Sequence, residues 1–231
     1  MERVLITGGG AGIGAAIARR CRQKGYEVVV LDREHADYRV DLSSAEETAQ
    51  ALVWVLAQGP VTRLVNNVGM VAPAALEAQS LAEFDQVMAL NTRCALQCMQ
   101  AVIPGMKQQG FGRIVNISSR AALGKALRAA YASSKAALIG LTRVAALELG
   151  EHDITVNAIG PGPIETELFK QANPADSPRT QQILRSIPVQ RFGQPEDVAH
   201  ACQFFLQPES GFITGQVLYV CGGMTVGVNG I

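Results

Sequence analysis

Apolar residues fall along this chain in two alternating patterns. Short runs that are apolar at consecutive positions occur at Val4–Thr7, Glu27–Leu31, Tyr38–Val40, Arg63–Asn66, Arg113–Ser118, Thr155–Ile159 and Val217–Val220. Several are rich in Val and Ile with no polar alternation, as strands covered on both faces should be. Between them lie longer stretches with helical spacing, at Ile13–Lys24, Ala45–Gln58, Leu81–Gln109, Ala129–Gly150 and Pro195–Leu206. Strands alternating with helices predict an α/β fold: a seven-stranded parallel sheet, doubly wound, with helices on both faces. The stretch 160–192 is rich in Pro and is expected to be irregular, a candidate substrate lid rather than a linker.

The sequence has 231 residues, 48% of them hydrophobic and 17% charged. That length suits one large domain spanning 1–231, and that composition supports a sizeable core and argues against disorder. No internal repeat is visible. The formal net charge is zero, so neither a nucleic-acid stripe nor a polybasic membrane patch is expected. No apolar run approaches the roughly 20 residues of a bilayer span, and Met1-Glu2-Arg3 leads straight into a strand with no room for a signal peptide. Five cysteines, an odd number without a C-x-x-C, suggest reduced thiols at core or helix-surface positions and a cytoplasmic setting.

The first strand runs into Gly8-Gly9-Gly10-Ala11-Gly12-Ile13-Gly14 and then directly into a helix. Glycine permits positive φ and close approach of backbone N–H groups to an anion, and the helix N-terminus adds partial positive charge. A pyrophosphate fits there. No Gly-Lys-Ser/Thr follows, which excludes a phosphate loop of the NTPase kind. The second strand ends at Asp32, the distance past the glycines at which a dinucleotide fold places its ribose-binding acid. A carboxylate there accepts from the ribose hydroxyls and repels the extra phosphate of NADP(H). Arg33 beside it could attract that phosphate, so both cofactors stay open, with NAD favoured.

Tyr131 and Lys135 are four apart on a helical stretch and therefore share a face. Removing hydride from an alcohol requires a base for the hydroxyl proton, and a free phenol, pKa ~10, is a poor one. An adjacent ammonium and the charge of an oxidised nicotinamide would stabilise the phenolate, an effect worth about 3–4 kcal/mol if Tyr131 is to work near neutrality. Asn91 lies inside a helix-patterned stretch, where asparagine is locally unfavourable. His35, His152 and His200 stand in unrelated contexts. Neither a metal site nor a Ser-His-Asp set is expected, and both Gly-x-Ser-x-Gly and His-Glu-x-x-His are missing.

The ordered set Thr7-Gly8-x-x-x-Gly12-Ile13-Gly14, Asn66-Asn67-Val68-Gly69, Asn91, Ser118-Ser119 with Tyr131-x-x-x-Lys135, and Pro161-Gly162-Pro163-Ile164-Glu165-Thr166 resembles the short-chain dehydrogenase/reductase family along essentially the whole chain. The resemblance implies a single Rossmann-like domain, usually a homodimer or homotetramer, interconverting a secondary alcohol and a ketone. It assigns Tyr131 as acid/base, and Lys135 as its tuner and the holder of the nicotinamide ribose. A serine orients the substrate oxygen, and Asn91 anchors a water. Asn67 and Gly69 are expected along the adenosine, Asp41 and Leu42 at the adenine, and Ile164 and Thr166, just past Pro161, at the carboxamide. Val68 stands where the family usually has Ala, Cys221 replaces a common Asp, and the short segment from Asp32 to Asp41 implies a missing helix.

Two alternatives remain. One is an NADPH-linked enzyme like the 3-oxoacyl-[acyl-carrier-protein] reductases, which the second half resembles most. The other is a non-catalytic NAD-binding sensor. The enoyl reductases of the family space Tyr and Lys more widely. The active serine sits thirteen residues before the tyrosine by one family rule, giving Ser118, and second in the Ser-Ser pair by another, giving Ser119. A one-residue deletion inside a buried strand would invert every later side chain, whereas one in the exposed loop 120–130 costs little, so Ser119 is expected. Arg120, Lys125 and Arg128 in that loop carry no acid among them; a solvated basic loop is the more ordinary reading, and an anionic substrate the other.

Overall fold

The computed structural model describes residues 2–226; the expected domain bounds 1–231 reach past these at both ends. Seven strands, β1 (Arg3–Thr7), β2 (Glu27–Asp32), β3 (Tyr38–Arg39), β4 (Arg63–Asn66), β5 (Gly112–Ile117), β6 (Ile154–Pro161) and β7 (Val217–Val220), form one parallel sheet in the order β3-β2-β1-β4-β5-β6-β7. Strand order reverses between β1 and β4. In such sheets the crevice beyond the carboxyl ends of the strands at this reversal is where ligands bind.

Alternate residues of each strand enter separate cores, which is why the strands read as apolar on both faces. Leu5, Leu31, Leu64, Ile114 and Val156 pack against α2 (Ala45–Ala57), α4 (Cys94–Gln109) and α5 (Ala129–Leu149). Val4, Ile6, Val30, Val65, Val115 and Ile159 pack against α1 (Gly12–Gln23) and α8 (Pro195–Leu206). All five cysteines are buried and free.

At the opposite, amino-terminal ends of the central strands β4 and β5, two arginines are almost wholly withdrawn from water. Arg63 donates to the Leu206 carbonyl at the end of α8 and lies 4.5 Å from the Tyr26 ring centre and 4.9 Å from that of Phe111. Arg113 covers Phe111 and donates to the carbonyls of Gln207 and Pro208. Their guanidinium planes satisfy carbonyls that α8 cannot satisfy itself. The end of the sheet away from the crevice is thereby fixed.

Two expectations need correction. The helix predicted over 81–109 is interrupted: α3 (Leu81–Met88) passes through a π-helical turn, Ala89–Arg93, into α4. The stretch 160–192 is not irregular, since it contains α6 (Glu167–Ala172) and α7 (Pro178–Arg185). Both are short and capped by Thr166 and Ser177, and their few apolar positions give too little helical periodicity to read from sequence. The chain between β2 and β3 contains no helix, in keeping with its short spacing.

Candidate active site

The glycine loop connects β1 to α1 at the strand-order reversal. Gly8 and Gly12 have φ of +67° and +52°, and a Cβ on Gly8 would fall 2.8 Å from the Val68 Cα. A Cβ on Gly14 would overlap the Gly8 carbonyl. Ala11 precedes α1 without a side-chain cap, and no acid lies in the first turn. The leading N–H groups therefore face the crevice without a protein acceptor, the arrangement a pyrophosphate completes. Ile13 is half-buried against the α1–α8 core. Thr166 comes from the lid stretch to the same loop, its Cγ2 3.2 Å from where a Gly12 Cβ would stand, while its Oγ1 caps α6.

Asp32 accepts from the Gly10 N–H at 2.9 Å and from the Arg33 N–H at 2.7 Å, which fixes its carboxylate against the loop. Arg33 is turned to Asp41, 2.7 Å away. Asp41 is pulled down to about 2, first by the Ser43 hydroxyl and also by Arg33, against some desolvation. Leu42, expected at the adenine, has its side chain buried in the core with Val40, Leu52 and Val55.

Asn67 spends its amide on the glycine loop, donating to the carbonyls of Thr7 and Gly8. Gly69, expected along the adenosine, lies instead at the other end: a Cβ there would stand 3.2 Å from Lys135 Nζ and 3.3 Å from Asn91 Oδ1. Pro161 ends β6, and the Ile164 side chain is buried in the α1–α8 core. Ile164 also bridges to Gly193, closing the lid stretch at its base.

The π-helical turn explains Asn91. Widening the helix by one residue turns its amide inward, where Oδ1 accepts from Met70 N–H and Nδ2 donates to the Met70 carbonyl and to Ser134 Oγ. Ser134 in turn donates to the Tyr131 carbonyl. Ser134 was not singled out in the sequence, because a serine beside a lysine on a helix carries no signal of its own; Arg128 was marked only for its place in the basic loop, whereas its charge also reaches the Tyr131 phenol.

Lys135 is buried, one turn beyond Tyr131 on α5, and donates to the Ile117 carbonyl at 2.8 Å. Its Nζ stands 5.7 Å from the Tyr131 ring centre. Burial holds it down to about 8. Tyr131 is pushed up by burial, with the Ser119 hydroxyl and then Arg128 acting in the opposite direction. Ser119 and Arg128 thus favour the phenolate, while the Lys135 ammonium lies over the Tyr131 ring and donates to a backbone carbonyl.

The two serines diverge. β5 ends at Ile117, one residue earlier than expected, so both lie just past the strand. Ser118 is buried and donates to the Lys135 carbonyl at 2.7 Å. Ser119 is half-buried, faces the Tyr131 hydroxyl, and accepts from the Ala121 N–H at 3.1 Å.

A parallel sheet with a dinucleotide cradle at its reversal and a Tyr–Lys pair beside it defines a nicotinamide-dependent oxidoreductase acting on CH–OH groups. A family model described as Enoyl-(Acyl carrier protein) reductase matches residues 8–225. The chain is 35% identical over 240 residues to the (2S)-[(R)-hydroxy(phenyl)methyl]succinyl-CoA dehydrogenase subunit BbsD of Thauera aromatica, covering 96% of each. It is 34% identical to a 3-oxoacyl-[acyl-carrier-protein] reductase of Staphylococcus aureus, covering 96% of this chain and 98% of that one. The structure of a gluconate 5-dehydrogenase from Burkholderia cenocepacia J2315, in complex with NADP and tartrate, superposes with a TM-score of 0.92 at 30% identity, over 98% of this chain and 96% of that one. The chain belongs to the short-chain dehydrogenase/reductase family, and it interconverts a secondary alcohol and a ketone by hydride transfer with a nicotinamide cofactor.

Proposed function

We propose that the cofactor is NAD(H) and that Tyr131 is the acid/base, with Ser119 orienting the substrate oxygen, Lys135 holding the nicotinamide ribose, and Asn91 anchoring a water behind it. A bound nicotinamide supplies the hydride carrier and, when oxidised, one positive charge. In the oxidising direction Tyr131 takes the hydroxyl proton while Ser119 donates to the oxygen that becomes the carbonyl; reduction runs the same steps backwards. The Ser119 hydroxyl at the Tyr131 phenol carries this assignment, because one substrate oxygen can meet both groups. The 160–192 stretch, joined at its base and touching Gly12 through Thr166, serves as the lid. Reduction of a double bond is disfavoured by the spacing of Tyr131 and Lys135.

For the cofactor, Asp32 favours NAD: its carboxylate is anchored beside the glycine loop at the end of β2, the position of a ribose-binding acid in dinucleotide folds. The Arg33 side chain, which would serve a 2′-phosphate, is engaged by Asp41. The rival NADPH-linked reading, in the manner of the 3-oxoacyl-[acyl-carrier-protein] reductases, rests on Arg33 leaving Asp41, and the gluconate 5-dehydrogenase neighbour was solved with NADP. Asp32→Ala is expected to weaken NADH binding by about tenfold and to strengthen NADPH binding. Titration of protein fluorescence with both cofactors checks it. Wild-type affinity for NADPH equal to or above that for NADH would overturn the assignment. Turnover of any secondary alcohol removes the non-catalytic sensor reading.

We also propose a cytoplasmic protein acting as a homodimer or homotetramer. Buried free thiols support the first. Exposed Val144 and Leu147 on α5 and Leu96 on α4 support the second. No helix among the described residues is long and apolar enough to cross a membrane. Light scattering on the eluting protein is expected to give at least twice the 24.5 kDa chain mass.

A further inference from the structure

The parallel strands β2 and β3 end side by side. Asp32 is the Cα partner of Arg39, and the Val40 N–H donates to the Asp32 carbonyl at 2.9 Å. Arg33 and Asp41 therefore leave the carboxyl ends of neighbouring strands, on the side of the sheet where the glycine loop leaves β1. There the Arg33 Nη2 stands 2.7 Å from Asp41 Oδ2. The backbone of the same arginine is held from the other side, since its N–H donates to Asp32, whose carboxylate also takes the Gly10 N–H. The cation that follows the ribose acid is thus tied to the cofactor loop by its backbone and to Asp41 by its side chain.

The two halves of this ion pair are unequally held. Asp41 is fixed. Its Oδ1 accepts from the Ser43 N–H at 2.9 Å and the Ser43 hydroxyl at 2.7 Å, and its own N–H donates to Glu47 Oε2 at 3.1 Å. The Ser43 carbonyl accepts from Arg93 in the π-helical turn, and Ser44 caps α2 through the Glu47 N–H. Arg33 is the movable partner: its side chain is exposed, lies in a loop without helix, and has Asp41 as its one hydrogen-bond partner among the described residues. An exposed pair of this kind is weak, whereas a guanidinium on a phosphate can form two parallel charge-assisted bonds. A phosphate arriving at Arg33 has to take the side chain from an acid that cannot follow it.

We infer that Asp41 is a specificity-determining residue for the cofactor: it competes with the 2′-phosphate of NADPH for the Arg33 guanidinium. The inference rests on the dinucleotide reading of the glycine loop and deepens it. Selectivity is a difference of two affinities, and the chain acts on both. Asp32 favours NADH by accepting from the ribose, while Asp41 disfavours NADPH by occupying the neighbouring cation.

The test is a double-mutant cycle read by fluorescence titration with NADPH and with NADH, no substrate present. Asp41→Asn keeps an oxygen that accepts from Ser43 and removes the charge that holds Arg33. It is expected to raise the affinity for NADPH relative to NADH about fivefold. The ratio cancels anything the substitution does at the adenine, which both cofactors share. In an Arg33→Gln background the same substitution is expected to move the ratio by less than about twofold, because no guanidinium is left to release. Asp41→Ala, which also gives up the Ser43 bonds, must shift the ratio in the same direction as Asp41→Asn. An unchanged ratio in Asp41→Asn overturns the inference, and so does an equal gain with Arg33 replaced, which would mean that Asp41 repels the phosphate directly. The wild-type ratio is a separate readout. A wild type that prefers NADPH rejects the NAD assignment while the cycle still measures the competition, whereas a preference for NADH with no shift in the variants rejects only the role of Asp41.

Discussion

Ser119→Ala is expected to lower kcat by about 10²-fold or more while leaving NADH affinity unchanged, as loss of a hydrogen-bond donor aimed at the reacting oxygen should. Ser118→Ala, one residue away, is expected to change kcat by only a few fold. The contrast follows from where the hydroxyls point. Ser119 faces the Tyr131 phenol, whereas Ser118 is buried with its proton on the Lys135 carbonyl. Removing Ser118 deletes one buried hydrogen bond, about 1 kcal/mol of stability, and no group that reaches substrate. Steady-state kinetics of both variants with one substrate decide it. A larger kcat loss in Ser118→Ala would reverse the assignment.

Lys135→Met is expected to lower kcat/KM by about 10²-fold or more and, at the same time, to change how stability depends on pH. Burial holds the Lys135 amine down to about 8, against an ordinary 10.5. Between those values the unfolded chain binds more protons than the folded one, so wild-type stability relative to the variant rises as pH goes from 8 to 10.5. Below that window the ammonium is fully charged and its burial penalty is fully present, on the order of 3 kcal/mol. Loss of the bond to the Ile117 carbonyl offsets roughly 1 kcal/mol of the gain in the variant. Urea unfolding of the wild type and the variant should therefore show the variant at least as stable near neutral pH and the gap moving toward the wild type at alkaline pH. Buried thiols such as Cys21, pushed up to about 12, titrate alike in both proteins and drop out of the difference. A gap that does not move with pH would mean that the amine is hydrated in the folded protein.

Much of this molecule was legible from the chain alone, and for identifiable reasons. The strands and the larger helices declare themselves because each is covered from one or both sides, and burial writes its period into the sequence. Leu5 and Ile6 enter different cores, so a run of apolar residues with no alternation could only be a doubly covered strand. The glycine loop is legible because Gly8, Gly12 and Gly14 are required by backbone geometry that no other residue meets. The chemistry-bearing residue types were visible for a similar reason, since the reaction needs a phenol and an amine one turn apart.

What the chain alone left undecided is whatever depends on contacts between distant segments. The π-helical turn that buries Asn91 answers to Met70 and Ser134, some twenty and forty residues away. The direction of each serine hydroxyl depends on α5 lying across the end of β5. Gly69 stands by Lys135 and not along the adenosine because the chain after β4 is tied to Asn91. Tyr131 is pushed up rather than down because burial, which no spacing reports, outweighs its neighbours. Local sequence fixes which backbone conformations and which faces are favourable; the partners a side chain meets, and so its protonation and its aim, are set by long-range packing.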